Sequence, residues 1–323
     1  MHKQLQLWRF TRERTLSGQP VVLLYVLDSS GSSPGRQGFG MAVAGNGDMH
    51  GSIGGGMMEH KMVELARTLI ASGNAAGVFR KQVHNREAAR NRSGMICSGE
   101  QSVHLRLLRD SDALSIGELV ASLEKGSNGT LEITPGDIRF HALTPEVDFE
   151  FRFHGEDDFT YREKTGYREH LYIVGGGHCA LALSRLMRGL DFKIHLIEER
   201  PRLNTLLMNK DVDETFIVSD YSETGAYIPD GPSNFVVIMT FGYRTDLIAV
   251  RTLRHRRLAY LGVLGSRSKI ENLFRETEEG DPLSNFETPV RAPIGIAIKS
   301  RTPEEIAVSI AAEIIQVKNR QLR

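Results

Sequence analysis

The chain has 323 residues, 40% hydrophobic and 25% charged, a length and balance that suit two globular domains. Its 40 Lys and Arg are matched by 40 Asp and Glu, so no net field draws in nucleic acid or an acidic membrane. The 2 cysteines, Cys97 and Cys179, build no disulfide framework, the first residues lack the apolar core of a secretory signal, and no run approaches the roughly 18 apolar residues of a membrane span, so a cytoplasmic protein is expected.

In chain order, Leu5 to Leu16 is weakly helical. Val21 to Leu27 is an unbroken β-rich run and predicts a buried strand. Asp28 to Gly38 is dense in Ser, Gly and Pro and predicts a loop. Met41 to Ala44, followed by Gly45-Asn-Gly-Asp48, predicts a hairpin strand and its turn. Gly51-Ser-Ile-Gly-Gly-Gly56 is a second glycine-rich segment. The spacing of Met58, Met62, Leu65 and Leu69 predicts a helix over 57–70. Val83 to Gly99 is polar and aperiodic and predicts a loop. A strand is expected at Val103–Leu107, a helix at Ser115–Leu123, and short strands with turns from Thr130 to Tyr167.

The pattern changes at His170. Strands are expected at Leu171–Val174, Lys193–Ile197, Phe216–Val218, Phe235–Met239 and Ala259–Gly262, separated by helix-compatible segments. That alternation predicts a doubly wound parallel sheet. Thr302-Pro-Glu-Glu305 opens a last helix with Thr302 as N-cap, Pro303 at the first helical position and Glu305 closing a capping box. The fold class read from this pattern is α/β: a Rossmann-like domain at 168–323, preceded by a mixed α+β domain at 1–167.

The constellations that can carry chemistry lie mostly in loops. Gly175, Gly177 and Ala180 match the G-x-G-x-x-G/A turn of a dinucleotide-binding unit, with His178 at the phosphate end. Glu198 follows the second strand at the spacing of a carboxylate that accepts from a ribose hydroxyl. Ser266, Arg267 and Lys269, at the end of a later strand, offer a hydroxyl and two cations to an anion, or simply cap a helix. In the first domain, Ser32, Ser33 and Arg36 lie on the loop before the predicted hairpin, and Ser52, Gly54, Gly55 and Gly56 on the loop after it, with Glu59 at the start of the next helix. Such side-chain-poor loops fold into anion-holding nests of backbone N–H groups. Cys97 sits between glycines, where a thiolate can ligate a soft metal or exchange sulfur, though a lone cysteine is more often inert.

Taken together, Gly31-Ser-Ser-Pro34 with Arg36, Gly51 to Gly56 with Glu59, Cys97, Val174 to Ala180, Gly262 to Lys269 and Thr302 to Ile310 resemble the xanthine dehydrogenase accessory protein family, also called XdhC/CoxI. The resemblance spans nearly the whole chain in the family's order. It implies a cofactor-binding chaperone that holds molybdenum cofactor (molybdopterin), works with a cysteine desulfurase while the metal is sulfurated, and delivers the product to a molybdenum hydroxylase apoenzyme. By that analogy the two N-terminal loops and Cys97 form the cofactor region, with Cys97 near the metal or the incoming sulfur, and the chain is a homodimer. Two other readings remain. One is an NAD(P)-dependent oxidoreductase with Glu198 on a ribose and His178 or Lys269 as proton donor. The other is a non-catalytic module that senses a nucleotide.

Overall fold

The computed structural model describes residues 3–83, 99–266, 268–271, 275 and 286–321. The chain divides into two compact units that meet in sequence at Gly166 and Tyr167.

The first unit is built on helix α1 (Lys3–Leu16), strands β1 (Val21–Gly31), β2 (Gly40–Ala44) and β3 (Met49–Gly51), helix α2 (Gly56–Ser72), strands β4 (Val78–Val83) and β5 (Gly99–Leu107), helix α3 (Asp112–Glu124) and strands β6 (Gly129–Ile133), β7 (Ile138–His141), β8 (Phe149–Gly155) and β9 (Asp158–Thr165). Five of the strands form one sheet in the order β3-β2-β1-β5-β4, and four form a second in the order β7-β6-β9-β8. The paired strands within both sheets are antiparallel. The unbroken apolar run in β1 has a simple cause: this central strand is covered on both faces. Val21, Leu23, Tyr25 and Leu27 enter the core shared with α1, α3 and the second sheet. Val22, Leu24 and Val26 enter the core under α2, against Met58, Met62 and Leu69.

The expected loop at Asp28 starts later than the composition suggests. Strand β1 continues to Gly31, because Asp28 to Gly31 pair with Ser102 to Gly99 of β5 after a register shift between Val26 and Asp28. Cross-strand partners thus override local turn propensity. The edge strand β3 leaves no mark in the sequence, since three residues set no period.

The second unit carries β10 (His170–Val174), α4 (His178–Arg188), β11 (Lys193–Glu198), α5 (Asn204–Met208), β12 (Glu214–Ile217), α6 (Thr224–Tyr227), β13 (Gly231–Ile238), α7 (Tyr243–Thr252), β14 (Leu258–Val263), β15 (Val290–Arg291) and α8 (Pro303–Gln321). The six strands lie in the order β12-β11-β10-β13-β14-β15, with parallel pairing throughout. This is the Rossmann order, in which the direction of winding reverses between β10 and β13. Each face has its own core. Leu171, Ile173, Leu183 and Ile310 lie on one side, and Tyr172, Val174, Ile238 and Leu253 on the other. Helix α8 opens with the expected capping box: Glu305 N–H donates to Thr302 Oγ1 at 3.2 Å, and Thr302 N–H donates to Glu305 Oε2 at 3.3 Å. Among the described residues no helix is long and apolar enough to cross a membrane.

Strand β5 hides two polar side chains on the inner face of the first unit. Arg106 and Asp112 form a fully buried pair at 2.9 and 3.0 Å. His104 lies against the Phe159 ring at 5.1 Å, and among the described residues neither of its ring nitrogens has a hydrogen-bond partner. Burial, and then the neighbouring Arg106 charge, lower its pKa from 6.5 to about 4. The unfolded chain therefore takes up a proton at His104 near pH 6.5, whereas the folded unit resists it until about pH 4. Stability is full above that window and falls by about 3 kcal/mol as the pH drops through it. Urea midpoints measured from pH 7 to pH 4 are expected to show this slope, and His104→Leu is expected to flatten it. An unchanged slope in that variant would assign the acid sensitivity to other groups.

Candidate functional site

In the first unit the two glycine loops meet backbone to backbone. A Cβ on Gly35 would collide with the Ile53 carbonyl oxygen, and one on Gly54 would lie 2.5 Å from the Gly35 nitrogen. Three successive residues, Gly54, Gly55 and Gly56, have positive φ, which turns the chain from β3 into α2. The Gln101 side chain on β5 clamps the junction. Its Nε2 donates to the Ile53 carbonyl at 2.9 Å, while its Oε1 accepts from Ser33 Oγ at 2.9 Å and from the Gly35 amide at 3.3 Å. Gln101 and Ser33 are both buried. Gly99, at the start of β5, backs onto the Ser33 amide, leaving no room for a side chain.

The amides of the second loop converge on an oxyanion supplied by the chain itself. Glu59 Oε2 accepts from Ser52 Oγ at 2.7 Å, from the Ile53 amide at 2.8 Å and from the Gly55 amide at 3.0 Å. The Gly54 amide donates to Ser52 Oγ at 3.1 Å. Glu59 is half-buried in the first turn of α2, where the helix dipole favours negative charge. Of the expected donors on the first loop, Ser32 is exposed and Ser33 is turned inward onto Gln101. Arg36 is exposed and folds back to donate to the Gly31 carbonyl at 2.9 Å. Cys97 lies outside the described residues.

In the second unit the turn after β10 is held from three sides. Gly175 has φ 103°, and its amide donates to the Ile197 carbonyl at 2.8 Å. A Cβ at Gly175 would lie 2.6 Å from the Met239 carbonyl oxygen, so only glycine fits between the ends of β11 and β13. The Gly176 carbonyl accepts from Thr205 Oγ1 at 2.5 Å. Gly177 caps α4, and among the described residues nothing beyond its own chain neighbours lies within 4 Å of where a side chain would begin. His178 is exposed beside it, and Cys179 is half-buried, with its thiol pKa pushed up by burial and then by Glu304.

Glu198 sits at the end of β11, fully buried. Its Oε2 accepts from the Gly176 amide at 2.6 Å and from Arg200 Nη2 at 3.0 Å. Its Oε1 accepts from the Arg200 amide at 3.0 Å, Arg200 Nε at 2.7 Å and the Tyr221 hydroxyl at 3.2 Å. Burial alone would raise the Glu198 pKa. The bonds from the Arg200 side chain, the Gly176 amide and the Arg200 amide outweigh it, so the carboxyl titrates below its ordinary value. The sequence placed this acid correctly beside the turn but did not reveal Arg200, its partner two residues on.

Lys269 is likewise committed. Its ammonium pairs with buried Asp246 and donates to the Leu264 carbonyl at 3.1 Å. Asp246 accepts from the Thr240 amide at 3.0 Å and from Thr240 Oγ1 at 2.5 Å, which carries the network to the strand end beside Gly175. Burial raises the Asp246 pKa, and the Lys269 and Thr240 bonds oppose that rise. Ser266 caps the following turn, accepting from the Lys269 amide at 3.3 Å and lying 3.1 Å from the Ser268 hydroxyl. Arg267 is outside the described residues. The structure therefore joins the 33–35 loop to the 52–59 loop in the first unit. In the second it joins the 175–177 turn to Glu198 and, through Thr240 and Asp246, to Lys269.

A parallel sheet in this strand order, with a glycine turn at its winding reversal, defines a Rossmann-type domain joined to a glycine-loop domain. The comparisons with known proteins agree. The model of the XdhC Rossmann domain matches residues 171–314, and that of the XdhC and CoxI family matches residues 15–81. The chain belongs to the XdhC and CoxI family. It is 27% identical over 317 residues to the uncharacterized protein YqeB of Escherichia coli, covering 96% of this chain and 46% of that protein. It is 29% identical over 153 residues to a Bacillus subtilis protein named as a probable xanthine dehydrogenase subunit, covering 47% of this chain and 44% of that protein. The chain thus spans less than half the length of these curated relatives. A crystal structure described as a xanthine dehydrogenase from Bacillus halodurans superposes with a TM-score of 0.74 at 21% identity, covering 99% of this chain and 96% of that one. That likeness shows the same fold.

The Gln101 clamp is directly testable. Gln101→Leu removes its amide and orphans the Gly35 amide, the Ser33 hydroxyl and the Ile53 carbonyl in a buried junction. A loss of about 1–3 kcal/mol in urea unfolding is expected, together with faster hydrogen exchange at Gly35. Unchanged exchange there would show that the loops hold each other without Gln101.

Proposed function

We propose that the chain is an accessory factor to a xanthine dehydrogenase-type molybdenum hydroxylase. In this reading it binds molybdenum cofactor, works with a cysteine desulfurase during sulfuration of the metal, and passes the product to the apoenzyme as a homodimer. The observation that carries the reading is the oxyanion nest at the start of α2. Backbone donors at Ile53 and Gly55, with the Ser52 hydroxyl, meet on one carboxylate oxygen within the segment that matches the XdhC and CoxI family model. The name of the Bacillus subtilis relative supports the same direction.

The donor set fits the ligand in kind. Molybdopterin supplies a dithiolene-held metal centre together with a phosphate and a polar pterin. Amides and a serine hydroxyl suit a phosphate oxygen as they suit the Glu59 carboxylate. Ser32 and Arg36, both exposed on the adjoining loop, add a hydroxyl and a cation to that side. Gln101 and Ser33 keep the two loops in register and do not touch the ligand. Cys97 is the soft thiol assigned to the metal or to the incoming sulfur.

Co-expression with the molybdenum cofactor synthesis enzymes, followed by mass spectrometry of the purified chain, tests the binding. A retained pterin is expected, and Arg36→Ala is expected to lower its occupancy several-fold without moving the melting temperature. Cys97→Ala is expected to lower sulfuration of a client hydroxylase while the pterin stays bound. Absence of pterin from the wild-type chain, together with unchanged client sulfuration in Cys97→Ala, would discard the proposal.

A further inference from the structure

Ligands of open α/β sheets lie in the crevice outside the carboxyl ends of the strands, where the winding reverses. Here that crevice stands over β10, between the ends of β11 and β13. In this architecture the end of the second strand chooses the ribose. A free carboxylate accepts from the 2′-hydroxyl of an unmodified ribose, whereas an arginine takes a 2′-phosphate.

Glu198 occupies the carboxylate position and cannot play that part. It is 0% exposed, and both oxygens are taken by Gly176, Arg200 and Tyr221. A ribose diol reaching it must first strip Arg200 from a buried acid, and an uncompensated buried charge is strongly destabilising. The exposed group at this strand end is Arg200 itself, whose side chain is 39% exposed. Nε and Nη2 face inward to Glu198, which leaves Nη1 at the outer edge with no hydrogen-bond partner among the described residues. The guanidinium lies 5.0 Å over the ring of Phe241, which is 67% exposed and follows β13 on the other side of β10. The acid behind it and the ring beneath it hold the fork in one orientation. Glu199 is half-exposed alongside, and Arg202 is exposed two residues further on.

We propose that this crevice takes a nucleotide carrying a 2′-phosphate on its ribose, of the NADP type, and that Arg200 stacked on Phe241 selects it over the unmodified ribose. The outer edge of the guanidinium bonds the 2′-phosphate, and the arginine–phenylalanine stack offers a flat face to the adenine. Glu198 is the positioning residue that aims Arg200. The inference uses the second unit alone and is independent of what the first unit binds.

Fluorescence titration of the full chain with NADPH and NADH, paired with calorimetry using 2′,5′-ADP and 5′-AMP, tests it. The 2′-phosphorylated member of each pair is expected to bind roughly tenfold tighter or more, the effect of one charge-assisted hydrogen bond. Arg200→Lys keeps a cation against Glu198 but loses the fork and the stack, and is expected to shrink the preference several-fold. Phe241→Ala leaves the Glu198 and Arg200 pair intact and is expected to weaken both nucleotides and, by freeing the fork, to narrow the preference, with an unchanged melting temperature. NADH binding as tightly as NADPH, no binding of either at millimolar concentration, or a preference untouched by Arg200→Lys would each overturn the proposal.

Discussion

Bare amides in a glycine turn need an acceptor, and in both units a carboxylate of the same chain provides it. Glu59 gathers Ile53, Gly55 and Ser52, while Glu198 holds Gly176. The ordering of flexible glycine backbone at Gly55 and Gly176 is opposed by a large conformational entropy, which these two bonds help to offset. The carboxylates make the turns single conformations before any ligand arrives, and such preorganisation is what lets a binding loop spend its contacts on affinity.

The two acids achieve this under different electrostatic conditions. Glu59 stands half-exposed in the first turn of a helix, where water and the helix dipole both tolerate its charge. Glu198 is fully enclosed, where an isolated charge is costly, and it stays ionised because Arg200 and two amides surround it. The Asp246 and Lys269 pair is a second buried ion pair beside the same turn and ties Thr240 into it, but there burial outweighs the partners and raises the Asp246 pKa. Arg106 and Asp112 form a further buried ion pair in the first unit, far from either glycine turn in sequence.

Much of this was legible before folding. The apolar runs of the parallel sheet, the glycine turn after its first strand and the acid after its second all follow from backbone geometry that leaves a mark on residue type. The N-terminal loops were legible for the same reason, since three successive glycines mark a backbone that must take positive φ at each of them. Partnership was not legible. Glu198 reads in the sequence as a free acceptor, and only the fold shows Arg200 and Tyr221 closing over it. Lys269 reads as a free cation, and only the fold brings Asp246 to it from 23 positions earlier in the chain. Gln101 carried no signal, because a single polar residue in an alternating strand is ordinary until two distant loops turn out to meet there. Asp28 to Gly31 read as loop because a strand made of turn residues is held by its partner and not by its own propensities.

The contrast between the two carboxylates sets what each turn can do for a ligand. An anion that replaces Glu59 in its nest releases a carboxylate that regains water, so the exchange costs little beyond a side-chain rotation, and the donors pass from one oxyanion to another unchanged. An anion that took over the donors of Glu198 would leave a fully buried carboxylate without its Gly176, Arg200 and Tyr221 partners, at the cost of several kcal/mol. The first turn is therefore suited to taking up and giving back an anionic group. The second is a fixed frame, and anything bound over it is read by the groups the frame holds outward.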